Sequence, residues 1–200
     1  MDTIHEHGTP EIALRVEALE SLLVEKGMLD SNLVDRVIQY FEQDLGPLNG
    51  ATAVARAWVD MEFRDRLLAD AKSAFAELGI QVRDNVIVVE NTPDEHHVVV
   101  CTLCSCYPWS VLGLPPTWYK SPAYRSRIVR EPRNVLAEMG LLLPDDVPIR
   151  VWDSSAEIRY MVLPARPADT TNFSEEQLIE LVTRDCMIGV SNPQVSGPEQ

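Results

Sequence analysis

The sequence predicts an α+β fold, in which a helical N-terminal arm is followed by an α/β body with short strands. Apolar residues recur every three or four positions through the first eighty residues, which is the spacing of amphipathic helices. Beyond residue 85 the pattern changes to short β-branched runs, which favour strands. A dense cysteine cluster begins where the second of these runs ends, so a chemically distinctive loop is expected at a strand end.

The arm is expected to contain four helices, which cover residues 12–26, 33–45, 49–59 and 61–78. Their ends are predicted at Gly27, at Gly46-Pro47 and at Gly79, because glycine often terminates a helix and proline cannot continue one. Asp60 is suited to cap the fourth helix, since its carboxylate can accept from the free N–H groups of the first turn.

The body is expected to contain four strands, at residues 86–89, 98–100, 149–153 and 158–163. A rigid turn is predicted at residues 113–116, and helical segments around residues 121–139 that close at Gly140. Ser174 and Gln177 form the pattern of a capping box, which predicts a helix that runs to about Asp185.

The composition excludes several classes of function. A formal net charge of −14 argues against nucleic acids and anionic membranes as partners, since both require a basic surface. The sequence has no apolar run of the length that a transmembrane helix needs. The acidic start MDTIHEHGTPE does not resemble a secretory signal. We therefore expect a cytoplasmic protein, in which cysteines serve as thiols or metal ligands and do not form disulfides.

Three of the four cysteines, Cys101, Cys104 and Cys106, fall within the six residues CTLCSC. A structural zinc site normally takes four ligands from two separated pairs, and Cys186 is the one cysteine that remains. His96 and His97 lie upstream, but neighbouring side chains on a strand point to opposite faces. A closed zinc site therefore fits poorly, while a thiol redox relay and a metal-storing module remain open alternatives.

The spacing of the cluster suits a different kind of metal site. A metal on the Cys104 sulfur can also meet the backbone nitrogens of Ser105 and Cys106 in small chelate rings, and the sulfurs of Cys106 and Cys101 complete a set of three sulfurs and two nitrogens. Such a set leaves one octahedral position open. Amide nitrogens bind only after they lose a proton, which requires a strongly Lewis-acidic transition metal ion such as Fe(III) or Co(III).

Four stretches form a recognisable pattern: VCTLCSCYPW, GLPPTWYKSPAYRSRIVREPR, IRVWDSSAEIRYMVLPARP and VTRDCMIGV. In these, and in GPLNGATAVARAWVDMEFRDRLL of the arm, the chain resembles the α subunit of nitrile hydratase. The resemblance implies an enzyme that adds water to a nitrile to give the amide, at a non-haem Fe(III) or non-corrin Co(III) ion. The patterns along the chain divide it into a helical N-terminal arm, residues 1–80, and an α/β body, residues 81–200, with the cysteine loop at a strand end. With the resemblance, this body would be the metal-binding catalytic domain.

The resemblance implies the site residues one by one. The metal ligands would be the sulfurs of Cys101, Cys104 and Cys106, together with the amide nitrogens of Ser105 and Cys106. Cys104 would be oxidised to a cysteine sulfinic acid and Cys106 to a cysteine sulfenic acid. Cys106, Ser105 and Trp109 are the expected catalytic residues. The sulfenate oxygen would act as nucleophile or base, the small serine would let the backbone approach the ion, and Trp109 would line an apolar pocket or belong to the core.

Thr102 and Tyr107 resemble the cobalt-type members, so we expect Co(III) in preference to iron(III). The related thiocyanate hydrolase subunit shares the pattern CTLCSCYP and is the alternative, although Trp109, Leu114-Pro115 and Lys120 favour nitrile hydratase. Two features depart from the family. Ser110 follows the tryptophan where a proline is usual, and the Gln-Gly-Glu segment before Val86 is missing, so that Gln81 is the available substitute.

Several other residues have two readings. The resemblance suggests that Asp153 and Arg159 stand behind the cluster, whereas their pattern alone would fit a surface strand pair. The sequence predicts solvated helix faces or interface positions for three arginines, Arg125, Arg127 and Arg130. It further predicts a buried structural thiol at Cys186, and an N-terminal end with His5 and His7 that binds metal weakly and has no catalytic part.

Charge predicts a partner for the site. Three thiolates and two deprotonated amides give a trivalent ion an anionic environment, and partly buried anionic oxygens need donors such as arginine. No arginine lies between residues 84 and 124. We therefore expect a β subunit, in an αβ or α2β2 assembly, to contribute arginines across a large interface. A small nitrile substrate and a cobalt-insertion chaperone complete the expected partners.

Overall fold

The computed structural model describes residues 10–40 and 46–195. The helices in these ranges are α1 (Pro10–Glu25), α2 (Leu33–Gln39), α3 (Gly46–Val59), α4 (Met61–Ala69), α5 (Ala71–Glu77), α6 (Trp109–Leu112), α7 (Pro122–Arg130), α8 (Pro132–Glu138), α9 (Glu175–Leu181) and α10 (Arg184–Ile188). The strands are β1 (Val86–Glu90), β2 (His96–Val100), β3 (Ile149–Asp153) and β4 (Arg159–Leu163), and two short 3-10 helices lie at Thr117–Lys120 and Ala168–Thr170. The predicted α+β class is confirmed. The expectations for His5, His7 and the Phe41–Leu45 part of the second helix lie outside the described residues.

The four strands form two parallel pairs. β1 pairs with β4, and β2 pairs with β3, so the first and last strands form one pair and the two middle strands form the other. The register places Val100, the last residue of β2, opposite Asp153, the last residue of β3. Because parallel strands end at the same edge, the cysteine loop that follows β2 begins beside the carboxylate that ends β3.

The core forms where helices pack against both strand pairs. α3 packs against α4, α6 and α9, and its alanines Ala53, Ala55 and Ala57 are completely buried. α10 contacts β2 and β4. Gly189, which caps the C-terminal end of α10, has a φ of +89°, and a Cβ atom there would lie 2.1 Å from the carbonyl oxygen of His97. Only glycine fits there without moving backbone, and the C-terminal helix is thereby fixed against the strand that leads to the cysteine loop.

Three predicted helix boundaries are wrong. The third helix, predicted from Asn49, begins at Gly46, in agreement with the tolerance of a first helical turn for the proline that follows. The helix predicted over residues 61–78 is divided at Asp70, whose extended backbone ends α4 while its carboxylate accepts from Ser73 N to cap α5. The helix predicted from Ser174 to Asp185 ends at Leu181, because Thr183 caps a separate helix.

No helix in residues 10–40 or 46–195 is both long enough and apolar enough to cross a bilayer.

Candidate metal centre

The three clustered cysteines bring their sulfurs together immediately beyond β2. The Sγ atoms of Cys101 and Cys104 are 3.3 Å apart, those of Cys104 and Cys106 are 2.9 Å apart, and all three lie within 4.8 Å of one another. Cys101 is buried, Cys106 is half-buried and Cys104 is exposed. The loop therefore presents a compact group of three thiols that opens toward solvent on one side.

The start of the loop is attached to the end of β3. The backbone N–H of Thr102 donates to Asp153 Oδ1 at 2.9 Å, and the Thr102 hydroxyl donates to Oδ2 at 2.5 Å. Ser154 N donates to the carbonyl oxygen of Val100 at 2.7 Å, which continues the pairing of the two strands. Asp153 thus holds the loop at its first turn, as the resemblance suggested. Its side chain is nevertheless exposed at the end of β3, so Asp153 also lies on a surface strand pair.

The other side of the loop is held by the helical segment that follows it. Arg125 Nη1 donates to the carbonyl oxygen of Cys104 at 2.9 Å, and Tyr119 OH donates to the carbonyl oxygen of Cys106 at 3.1 Å. Tyr119 is fully buried and packs edge-on against Tyr107, with ring centroids 5.1 Å apart. The loop is therefore held on both sides of the sulfur group.

The protons of the three thiols are not independent. The pKa of Cys104 is lowered to about 7, first by hydrogen bonding from the Cys106 thiol, then from the Cys101 thiol, with further help from the backbone N–H groups of Cys106 and Ser105. The pKa of Cys106 is raised to about 12, first by burial and then by the neighbouring Cys104 thiol, while the charge of Arg159 acts in the opposite direction. One thiolate forms readily, and it makes the next one unfavourable. A cation is the group that would let all three ionise together.

The donor set fits a thiophilic transition metal. Three sulfur atoms converge, and soft thiolates select transition metals over Mg²⁺ or Ca²⁺. The backbone N–H groups of Ser105 and Cys106 face the Cys104 sulfur, and neither donates to a carbonyl oxygen in the described part of the chain. His96 and His97 do not join the group. His96 Nε2 contacts the Gly189 carbonyl, whereas His97 Nδ1 accepts from Trp152 Nε1.

A cleft of about 680 Å³ opens beside the sulfurs. Its walls include seven residues that the sequence analysis singled out: Gln81, Cys104, Ser105, Cys106, Trp109, Ser110 and Arg159. Cys101, which is buried, and Asp153 do not line it. The Trp109 side chain is 38% exposed, so Trp109 forms a wall of the cleft and is not a plain core aromatic. Arg159 bonds to the Ser155 carbonyl through Nη1, and its Nε is buried without a partner among the described residues.

Sequence reasoning missed some of the residues at the site. Tyr40, Asn49, Arg83 and Asp84 also line the cleft, and no motif singled them out. Arg125 was expected on a solvated helix face or at an interface, and its bond to the cysteine loop shows that this reading was incomplete. The sequence does place Arg125 one turn after Ser121, which caps α7. Its hydrogen bond to the Cys104 carbonyl, however, depends on how α7 packs against the cysteine loop.

The remaining assignments are simpler. Arg127 forms ion pairs with Glu131 and Glu138, while Arg130 is exposed and donates to the Ser126 carbonyl. Cys186 is buried, and its sulfur contacts the hydroxyls of Thr183 and Ser191, which confirms its structural character.

Comparisons with known proteins agree with this geometry. The model of a family described as nitrile hydratase, alpha chain, matches residues 10–191. The α subunit of the low-molecular weight cobalt-containing nitrile hydratase of Rhodococcus rhodochrous is 59% identical over 185 residues, which cover 92% of this chain and 89% of that relative. Thiocyanate hydrolase subunit gamma of Thiobacillus thioparus is 44% identical over 190 residues, which cover 88% of this chain and 78% of that relative.

Solved structures give the same result. A double histidine mutant of the Fe-type nitrile hydratase from Comamonas testosteroni Ni1 has a TM-score of 0.85 at 41% identity, over 97% of this chain and 98% of that one. The matched residues include the whole cysteine loop and every wall of the cleft. The chain belongs to the nitrile hydratase α-chain family.

Proposed function

We propose that this chain is the metal-bearing α subunit of a nitrile hydratase, which adds water to a nitrile and releases the amide. The observation that carries the proposal is the convergence of three cysteine sulfurs within 4.8 Å at the wall of a cleft. The cobalt-containing relative supports the same chemistry. The metal would be a non-corrin Co(III) ion held by the sulfurs of Cys101, Cys104 and Cys106 and by the amide nitrogens of Ser105 and Cys106.

When bound, such an ion would supply Lewis acidity, which activates a nitrile or a water molecule toward hydration. The chain's own residues would do the rest. Cys106 lines the cleft, so an oxygen added to its sulfur as a sulfenate would face the substrate and serve as nucleophile or base. Ser105 has a small side chain that leaves the backbone accessible. Trp109 would pack against the apolar part of the nitrile and limit the water around it.

Two positions support cobalt over iron. Thr102 and Tyr107 follow the cobalt-type pattern, and both have structural roles beside the cluster. Thr102 bonds to Asp153 with backbone and hydroxyl, while Tyr107 is buried against Tyr119. Because a solved structural relative is an Fe-type enzyme, growth with cobalt alone and with iron alone is the comparison that distinguishes the two metals.

A β subunit would cover the open side of the centre. Leu103, at the tip of the loop, is 92% exposed, and the Cys104 thiol beside it is exposed as well. Leu103 would offer an apolar contact, and Cys104, once oxidised to a sulfinate, would carry negative charge. This pair is suited to a partner that supplies both apolar side chains and arginines. We further propose that a chaperone inserts the cobalt and that the enzyme works in the cytoplasm, where thiols stay reduced until the metal binds.

Thiocyanate hydrolase chemistry is the second candidate. The pattern CTLCSCYP and the 44% identity to the gamma subunit favour it, because both reactions add water to a carbon–nitrogen triple bond. The higher identity to the cobalt-containing nitrile hydratase subunit favours nitriles as substrates.

The test is a hydration assay of the chain co-produced with its β subunit, in cells supplied with cobalt alone or with iron alone. We expect small aliphatic or aromatic nitriles to give the amide in the cobalt preparation, with little activity in the iron preparation. Thiocyanate serves as the competing substrate. Turnover of thiocyanate without amide formation from any nitrile would replace the proposal with the second candidate, and an active cobalt-free iron enzyme would overturn the choice of metal.

A further inference from the structure

Arg125 differs from the other arginines of α7 in what its charge faces. Arg127 pairs with Glu131 and Glu138, each at 2.6 Å, whereas Arg125 makes no ion pair with a carboxylate in the described part of the chain. Its Nη1 donates instead to the carbonyl oxygen of Cys104 at 2.9 Å, and its Nε is buried without a partner among residues 10–40 and 46–195. The charge of Arg125 is therefore directed at the cysteine loop, and no carboxylate of the described residues neutralises it there.

The oxygen that Arg125 contacts belongs to an unusual peptide group. The carbonyl of Cys104 and the nitrogen of Ser105 share one planar unit, whose electrons are delocalised over oxygen, carbon and nitrogen. If the Ser105 nitrogen is a metal ligand it has lost its proton, and the same delocalisation places part of its negative charge on the Cys104 oxygen. A guanidinium at that oxygen forms a charge-assisted hydrogen bond, which is about twice as strong as a neutral one.

We infer that Arg125 is a positioning residue of the metal centre, which fixes the plane of the Cys104–Ser105 peptide and compensates the charge that this peptide carries when its nitrogen binds the ion. The inference rests on the proposed function, because it requires the Ser105 nitrogen to be a ligand. The positive charge of Arg125 would then act at the metal centre from within this chain, in addition to any arginine that a partner supplies.

Two simpler roles for Arg125 make different predictions. If it is only a hydrogen-bond anchor, a neutral donor of similar reach should replace it. If it is only a solvated charge on the helix, it should be equivalent to Arg130, which is exposed on the same helix and donates to the Ser126 carbonyl. The proposed role requires both the position and the charge.

The first experiment compares Arg125→Gln, Arg125→Lys and the matched control Arg130→Gln, each in the full chain produced with its β subunit over a series of limiting cobalt concentrations. Cobalt per chain is measured by metal analysis, and the sulfur-to-cobalt absorption band is recorded. For Arg125→Gln we expect half-occupancy to need about tenfold more cobalt, as is typical when a group behind a metal ligand is lost, and a shifted band. Arg125→Lys should keep most of the occupancy and an unshifted band, and Arg130→Gln should match the parent.

The second experiment separates charge from hydrogen bonding. The metal-free Arg125→Ala chain is given a cobalt salt in air, with either guanidinium or urea at the same millimolar concentration. We expect guanidinium to restore cobalt uptake and urea, its neutral analogue, to have no effect. Equal rescue by the two, or parent-like occupancy and spectrum in Arg125→Gln, would overturn the inference.

The outcomes also separate this inference from the proposed function. If the parent chain takes up no cobalt, the proposed function fails and the inference fails with it. If the parent takes up cobalt and Arg125→Gln does so equally well, only the inference fails. Circular dichroism shows whether Arg125→Gln and Arg125→Ala fold. If neither folds, the inference is tested with Arg125→Lys, which keeps the positive charge. A shifted sulfur-to-cobalt band in that variant would contradict the proposed role of the charge.

Discussion

The cysteine loop and the N-terminal helices α1 and α2 are both exposed, but they are held in different ways. Leu103 of the loop is 92% exposed and Leu14 of α1 is 64% exposed. The loop is bonded to Asp153 and Arg125, which lie 51 and 21 residues from their partners in the chain. In α1 the bonds are local. The conformation of the loop is therefore set by tertiary structure, whereas that of α1 is set by its own sequence.

The difference bears on what each region does. The loop gathers polarisable sulfurs at a fixed place in the body, which is what a metal centre requires. The first helix instead exposes a series of apolar side chains, Ile12, Leu14, Val16, Leu19 and Leu22, and none of residues 11–25 is buried. Apolar stripes of this kind mark association surfaces, so α1 is a candidate surface for the β subunit, independent of the metal chemistry.

The largest effect is expected from the loop itself. Cys104→Ser or Cys106→Ser should remove both cobalt and nitrile hydration, because the site has no spare sulfur to take over. Cys186→Ser is the control, since Cys186 is buried against the hydroxyl groups of Thr183 and Ser191 and lies outside the sulfur group. Metal analysis and the hydration assay decide the matter, and full activity with stoichiometric metal in either loop mutant would rule out the site.

The attachment of the loop to β3 should matter next. Asp153→Asn replaces one of the two carboxylate oxygens with an amide NH2 group. One of the two hydrogen bonds from Thr102 then loses its acceptor, so the start of the cysteine loop is held less firmly to β3. We expect about a tenfold loss in cobalt occupancy at limiting metal or in activity. Asp146→Asn, at an exposed position between α8 and β3, is the matched control. Equal behaviour of the two variants would show that the loop does not depend on this anchor.

The body should also be the source of pH sensitivity. Burial lowers the pKa of His96 and His97 in the folded chain, and Glu95 only partly offsets this for His97. The unfolded chain then binds more protons below its ordinary histidine pKa of about 6.5, so the free energy of unfolding should fall as the pH drops from 7 to 5.

His97→Gln should make that pH dependence shallower, while the side-chain oxygen can still accept from Trp152 Nε1. Urea denaturation at several pH values measures the slope, and the region between pH 7 and 8 serves as the internal control, where both proteins should behave alike. An unchanged slope between pH 7 and 5 would place the sensitivity elsewhere.

The smallest effect on stability is expected from changes in α1. Leu14→Gln and Leu19→Gln remove no buried contact, so the free energy of unfolding of the isolated chain should change by less than about 0.5 kcal/mol. Cobalt content should be unchanged. Association with the β subunit should weaken, which co-purification or analytical ultracentrifugation can measure. A large loss of stability would show that α1 is packed against the rest of the chain.

The contrast between the two regions also explains what the sequence could predict. Local patterns identified α1, the four strands and the CTLCSC cluster, because periodicity and spacing are properties of neighbouring residues. Boundaries failed where a polar side chain caps a new helix, at Asp70 and at Thr183. The sequence shows that an aspartate and a threonine stand at these positions. Whether such a side chain points to solvent within one helix or caps the start of a new helix depends on tertiary packing.

The anchors of the site were harder to predict for the same reason. Asp153 was suggested by resemblance, and its contact with Thr102 follows from the register of β2 against β3, which the sequence does not show. Arg125 carries no motif, and its contact with Cys104 depends on the placement of α7. The sequence showed that the metal ligands would be cysteine sulfurs. The contacts by which Asp153 and Arg125 hold the cysteine loop in place were identified only from the tertiary structure.

The central claim is that the sulfur group binds cobalt and becomes oxidised, and one measurement tests it most directly. The full chain, produced with its β subunit in cells supplied with cobalt, is examined by metal analysis and by intact mass spectrometry. We predict one cobalt per chain and a mass increase of about three oxygens, two on Cys104 and one on Cys106. Zinc with unmodified thiols, or no metal and a reversible disulfide among Cys101, Cys104 and Cys106, would contradict the account.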